Sequence, residues 1–131
     1  MAVTLFVNGT LMRGLKLHAN LDGAEFVGEF RTVPRYRIYL INDNHPGMFK
    51  LDEGEDGGVA VPGEMYTMSN EIWAAVEAGE PPYLYKGPVD LEDGRTVDGI
   101  LFPRETAEDP AHGYLDISDY GGWREYMENR D

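Results

Sequence analysis

The apolar run Val3, Leu5, Phe6 and Val7 stops abruptly at Asn8, Gly9 and Thr10. Its residue types suit a buried strand, and Gly9 lets the backbone turn where a side chain would obstruct it. A strand that ends in such a turn can aim the backbone N–H groups of Asn8, Gly9, Thr10 and Leu11 at one point. That arrangement binds an anion or a developing oxyanion. A plain strand-to-loop corner reads the same way, so these four residues gain weight only from the remainder of the chain.

Downstream, short β-type segments alternate with turn residues. Leu15, Leu17 and Leu21 fit a short helix that tucks leucines under a sheet. Residues 24–42 carry two strands separated by Pro34, the second rich in aromatic and β-branched types. Residues 42–47 read as a loop, and residues 52–58 as an acidic, glycine-rich surface loop. β-type residues return over 59–66, where Gly63 signals a bulge or a close approach of other backbone. Ser69 suits the N-cap of a helix running to Gly79, with Glu71 in its first turn and Ile72, Trp73 and Val76 on its apolar face. Gly79 and the pair Pro81-Pro82 end that helix. Residues 83–89 and 97–102 form a hairpin across Glu92-Asp93-Gly94. Residues 104–113 read as a polar loop. A final short helix starts at Trp123 and lays Trp123, Tyr126 and Met127 on the body of the fold.

Many short strands with few, short helices predict the α+β class: a small twisted mixed β-sheet or barrel. The 131 residues suffice for one domain and are too few for two ordinary ones, so residues 1–131 are expected to form a single domain.

The chain has no cysteine, which excludes disulfides, thiolate metal sites and cysteine nucleophiles. Its net charge of −13 repels phosphate backbones and anionic membranes, so neither nucleic acid nor membrane is an expected partner. No apolar stretch reaches the length of a membrane span, and the N-terminus lacks the basic start and long apolar run of a signal peptide. A soluble, cytoplasmic protein is expected, without cofactor or metal. His18, His45 and His112 fall in loop or surface contexts, and no persuasive triad is present.

Four segments, in order, resemble the γ-glutamylcyclotransferase-like family. The stretch from Leu5 through Gly9, Thr10 and Leu11 to Gly14 is similar to its opening strand and glycine loop. Gly28, Thr32, Tyr36 and Tyr39 resemble its second strand block. Gly57, Gly58, Val61, Gly63, Glu64 and Tyr66 resemble its GGxxVxGExY segment. Glu77, Glu80, Tyr85 and Lys86 resemble its acidic helix end and following strand. Asn8 stands where the family has tyrosine, and Met12 and Lys86 where arginine is frequent; lysine keeps the charge but loses the bidentate fork. The tail around Asp116 and Trp123 resembles the bacterial subgroup near the domain attached to allophanate hydrolases.

The resemblance implies an internal acyl transfer. The free α-amine of a γ-glutamyl group attacks its own γ-amide carbonyl, closes a lactam and releases 5-oxoproline and an amine. The nucleophile belongs to the substrate. The protein must hold the substrate bent, supply donors to the oxyanion and shuttle one proton. Glu80 takes the place of the family's catalytic glutamate, with Glu77 as the alternative if the alignment shifts. Both also read as solvated acids at a helix end. Glu64 is a second candidate: facing inward it must be paired or protonated, and facing outward it is an ordinary strand residue. Tyr85 can hydrogen-bond substrate or simply pack. Arg37 can bind a carboxylate, but on a strand between Tyr36 and Ile38 it is expected to face solvent, and Lys86 to lie on the surface. The competing reading is a non-catalytic module that binds a small carboxylate in the same cavity. Under either reading the partner is a small molecule, and the chain a monomer or homodimer.

Overall fold

The computed structural model describes residues 2–9, 11–12, 18–21, 23–42, 45–79 and 83–128. Among the described residues, eight strands form two sheets. β1 (Ala2–Val7), β2 (Glu25–Arg31), β5 (Pro62–Ser69), β6 (Tyr85–Asp90) and β7 (Thr96–Leu101) build a five-stranded sheet in the order β2-β5-β1-β7-β6. β3 (Tyr36–Ile41), β4 (His45–Lys50) and β8 (Leu115–Asp116) build a three-stranded sheet in the order β4-β3-β8. Among the described residues there are also three short α-helices, α1 (Asn70–Ala78), α2 (Arg104–Ala107) and α3 (Trp123–Glu128), and two 3-10 turns, His18–Leu21 and Ser118–Tyr120. None is long and apolar enough to cross a membrane.

β1 runs through the middle of the larger sheet, antiparallel to β5 and parallel to β7. Leu5, Phe6 and Val7 are consecutive and all buried, which demands protein on both faces of the strand. Each contributes about 1.5–3 kcal/mol through the apolar surface it withdraws from water. The register sets Gly63 beside this strand. A Cβ there would lie 2.4 Å from the Val7 carbonyl oxygen and 2.6 Å from the Phe6 ring, so only glycine fits.

The larger sheet curls until its outer strands approach. Thr32 and Leu91, just beyond β2 and β6, form an isolated bridge, flanked by Val33 N–H to Asp90 O at 3.0 Å and Glu92 N–H to Arg31 O at 2.9 Å. The contact is confined to that end among the described residues, so the barrel expected as one form of the sheet is left open. Thr32 is fully buried, and its hydroxyl accepts from Val61 N–H at 2.9 Å.

α1 follows its sequence signals. The Ser69 hydroxyl accepts from Ile72 N–H at 3.2 Å, Val76 is buried, and Gly79 closes the last turn with its N–H on Ala75 O at 3.2 Å. Pro81 and Pro82 lie outside the described residues.

Several expectations need correction. Residues 45–47 belong to strand β4, not to a loop. The strand lies at the edge of its sheet, where the N–H that Pro46 lacks is not missed. His45 is consequently buried, at 3% exposure, rather than on the surface. Residues 104–107 form one helical turn inside the expected loop. Met127 is 38% exposed, while Trp123 and Tyr126 pack into the core.

Arg37 does not face solvent freely. Its Nη2 donates to Asp116 Oδ2 at 2.5 Å and its Nη1 to Gly57 O at 2.5 Å. β3 is the central strand of its sheet, so the side chain lies across a neighbouring strand. Asp116 Oδ1 also accepts from Ser118 N–H at 2.9 Å and Ser118 Oγ–H at 2.6 Å. The Ser118 oxygen accepts from Ile38 N–H at 2.9 Å. This network ties the C-terminal segment to β3.

Two tests follow from this packing. Gly63→Ala is expected to destabilise the fold by about 1–3 kcal/mol in urea denaturation, because the obstructing atoms are backbone and a core ring. Burial pushes the Asp116 carboxyl up, but hydrogen bonds from Ser118 and Arg37 outweigh it and leave it below its usual 3.8. A depressed carboxyl stabilises the folded state above its unfolded value, and that contribution fades as pH falls through the lower folded one. Melting curves of wild type and Asp116→Asn should therefore differ at neutral pH and converge in strong acid; a constant gap would refute this.

Candidate functional site

The turn after β1 is closed by Met12 N–H on Gly9 O at 3.0 Å. Asn8 is 5% exposed, and its Nδ2 donates to Met48 Sδ at 3.2 Å, which turns the amide inward toward β4. Leu11 is buried, and its carbonyl accepts from His18 Nδ1 at 2.9 Å. Val7, Asn8, Gly9, Leu11, Pro46 and Leu84 are among the residues lining a narrow hollow of about 20 Å³. That is room for one water, not for a γ-glutamyl group.

Thr10 and Glu80 lie outside the described residues. Glu77, the alternative to Glu80, is exposed on α1. Tyr85 is 48% exposed on β6, at the edge of the larger sheet, and is absent from the lining of either cavity described here.

Glu64 faces inward. It sits on β5 opposite Val7 and is 3% exposed. A carboxylate this buried requires compensation. Tyr66 Oη–H donates to its Oε1 at 3.0 Å, and Arg124 Nη2 to its Oε2 at 3.2 Å. Tyr66 lies two residues along the same strand, so strand alternation puts its ring on the same face. Arg124 comes from α3, sixty positions away in sequence. Buried Trp123 and Tyr126 anchor that helix. Gly122 enters it at φ +135, where a Cβ would lie 2.6 Å from the Pro62 ring. The close packing of Gly122 on Pro62 brings the start of α3 against the start of β5, and so Arg124 against Glu64.

The pair lines a cleft of about 630 Å³, within the usual range for small-molecule sites. The cleft opens where the end of β2, the β6–β7 turn and α3 meet, close to the Thr32–Leu91 bridge. Glu29, Arg31, Glu92 and Glu125 also line it, and Arg31 pairs with Glu92 at 3.6 Å. Among the described lining residues, carboxylates outnumber guanidiniums by two. Leu11 lines the hollow and Met12 the cleft, so the turn after β1 touches both. The structure brings Glu64 together with Arg124 but not with the hollow at Asn8.

Sequence reading missed Arg124. Its signal was a cation beside Trp123 in a largely acidic tail. Nothing local says which distant carboxylate it meets.

Breaking this pair from one side should be worse than removing both charges. Arg124→Ala is expected to destabilise by about 1–3 kcal/mol, since it leaves Glu64 buried without that cation. Glu64→Gln/Arg124→Ala should recover part of the loss in a double-mutant cycle by chemical denaturation. Equal or greater loss in the double variant would argue against the coupling.

A family model described as the allophanate hydrolase C-terminal domain matches residues 3–128. A uropathogenic Escherichia coli-specific protein of known structure is 38% identical, with 100% of this chain and 99% of that chain covered at a TM-score of 0.87. Kluyveromyces lactis allophanate hydrolase is 25% identical with a TM-score of 0.88, over 98% of this chain and 21% of that one. The urea amidolyase of Saccharomyces cerevisiae is 28% identical over 97% of this chain, which spans only 7% of that enzyme's length. A γ-glutamyl cyclotransferase shares the fold alone, at 15% identity and a TM-score of 0.50 over 88% of this chain and 70% of that one. The chain belongs to the allophanate hydrolase C-terminal domain family and carries a γ-glutamylcyclotransferase-like fold.

Proposed function

We propose that this protein is a small-carboxylate-binding module whose ligand sits in the cleft at Glu64 and Arg124. One observation carries the reading: a buried carboxylate and a partly exposed guanidinium meet on the wall of a cleft of about 630 Å³. Arginine binds carboxylates through a planar fork, and here the fork reaches a space large enough for a small organic acid. The allophanate hydrolases and urea amidolyases act, by name, on ureido compounds. The proposed role for this chain is accessory to chemistry of that kind: it holds a small acid related to such compounds.

A second reading, lactam formation from a γ-glutamyl amide, is favoured by the turn after β1. In that reaction the substrate amine attacks the γ-carbonyl, the oxyanion is met by backbone N–H groups of residues 8–11, and Glu80 returns the proton to the departing nitrogen. Its difficulty is the small hollow at that turn, which must widen before substrate can enter.

The two readings separate in one set of measurements. The first expects small carboxylates and ureido acids to raise the melting temperature by several degrees, since saturation at about 100 Kd adds ~2.7 kcal/mol. It expects Arg124→Ala to abolish the shift, and no 5-oxoproline to form from γ-glutamyl amides. Production of 5-oxoproline that Glu80→Gln eliminates would establish the second reading instead. Absence of any shift across γ-glutamyl compounds, dicarboxylates and ureido acids would sink the first.

A further inference from the structure

We infer that Tyr83 and Leu84 form a strained door on the hollow at the turn after β1: they swing outward as a local event, and backbone strain held at Tyr83 is released as the hollow opens. The device is independent of what the cleft at Glu64 binds, and it supplies the widening that lactam formation requires.

The walls of the hollow differ in how firmly they are held. Val7 on β1, His45 and Pro46 on β4 and Ile100 on β7 are paired within their sheets. Asn8, Gly9 and Leu11 belong to the turn closed by Met12 N–H on Gly9 O. Of the described lining, Leu84 alone lies outside a strand or that turn. Half-buried, it packs against both the main core and the smaller core around Phe49 and Phe102. Its departure enlarges the hollow along the seam between the two. Strand pairing on β6 begins one residue later, at Tyr85 opposite Leu101, so residues 83–84 can move while the β6–β7 ladder stays intact.

Tyr83 carries the strain. Its φ is +74, a region where the Cβ of a bulky L-residue crowds the backbone. Among the described residues Asn42 is the one other non-glycine with a positive φ, and asparagine tolerates it. Such strain persists only where surrounding packing holds it in place. Here the holder is Phe102, which the Tyr83 ring meets edge-on with centroids 6.2 Å apart. Phe102 is a firm post: it is fully buried, its N–H donates to Met48 O at 2.8 Å, and its ring fills the space a side chain at Gly47 would take. Tyr83 is 66% exposed, so little apolar surface is lost when its ring leaves that post. A weak latch thus opposes a stored strain, the balance that a local opening needs.

The chain has no cysteine, so one introduced thiol reports on the hollow alone. Ile100→Cys places it on the β7 wall, at a position 7% exposed with the door shut. Its labelling by iodoacetamide should be slow and indifferent to low urea, because a local opening exposes little surface. Tyr83→Ala removes the ring and keeps the strain, whereas Tyr83→Gly removes both. Labelling is expected to be about threefold or more faster with Tyr83→Ala than with Tyr83→Gly. It should also be faster with Tyr83→Ala than with Tyr83→Phe, which keeps ring and strain. Leu84→Ala should make the thiol reactive whatever residue 83 is. If Ile100→Cys does not fold, Val7→Cys carries the same measurement on the β1 wall. Equal or slower labelling in the Tyr83→Ala background than in Tyr83→Gly would overturn the release of strain. Labelling that accelerates with urea in step with global unfolding would overturn the door itself. Neither result touches the carboxylate-binding reading.

Discussion

A strand that is paired on both edges and covered on both faces organises this molecule. β1 can accept antiparallel β5 on one side and parallel β7 on the other only because Leu5, Phe6 and Val7 tolerate protein above and below. That requirement propagates to its neighbours. Gly63 must lack a side chain beside Phe6, and Glu64, next along β5, is carried below solvent reach opposite Val7.

Burying a carboxylate in a sheet creates a demand that the sheet cannot meet by itself. Tyr66 supplies one donor from the same strand, but the cation arrives from the last helix. That helix is held by its own apolar residues and by the packing of Gly122 on Pro62. Farther back, Asp116 and Ser118 bind the incoming segment to Arg37 and Ile38 on β3. The C-terminal stretch is therefore part of the site's construction rather than an appendage. The cleft lies where the turn after β1, the end of β2, the start of β5, the β6–β7 turn and α3 come together, and the residues that these carry set its charge.

Local signals foretold much of the architecture. Ser69, Val76 and Gly79 marked α1 because capping and helical periodicity act within a few residues. The hairpin across Glu92, Asp93 and Gly94 was legible for the same reason. The loop expected at residues 42–47 failed where turn-forming residues were drawn into an edge strand, which tolerates proline as an interior strand does not. Arg37 was expected in solvent because strand alternation says nothing about a carboxylate on the adjoining strand. The curl of the larger sheet was half-anticipated as a barrel; closure depends on strand lengths and a single bridge at Thr32, which no local pattern encodes.

By itself the sequence determined the class of fold, most of its strands, the helices α1 and α3, the acidic composition and the exclusion of cysteine chemistry. These follow from composition and short-range periodicity, which act along the chain. It also singled out Glu64 as a residue that would need a partner if it faced inward. Tertiary structure alone decided that it does face inward, that Arg124 and Tyr66 are among its partners, and that Glu64 and Arg124 share a cleft distinct from the hollow at Asn8. An ion pair between positions sixty residues apart is a property of packing geometry, and only the assembled sheet and its terminal helix bring such charges within hydrogen-bond reach.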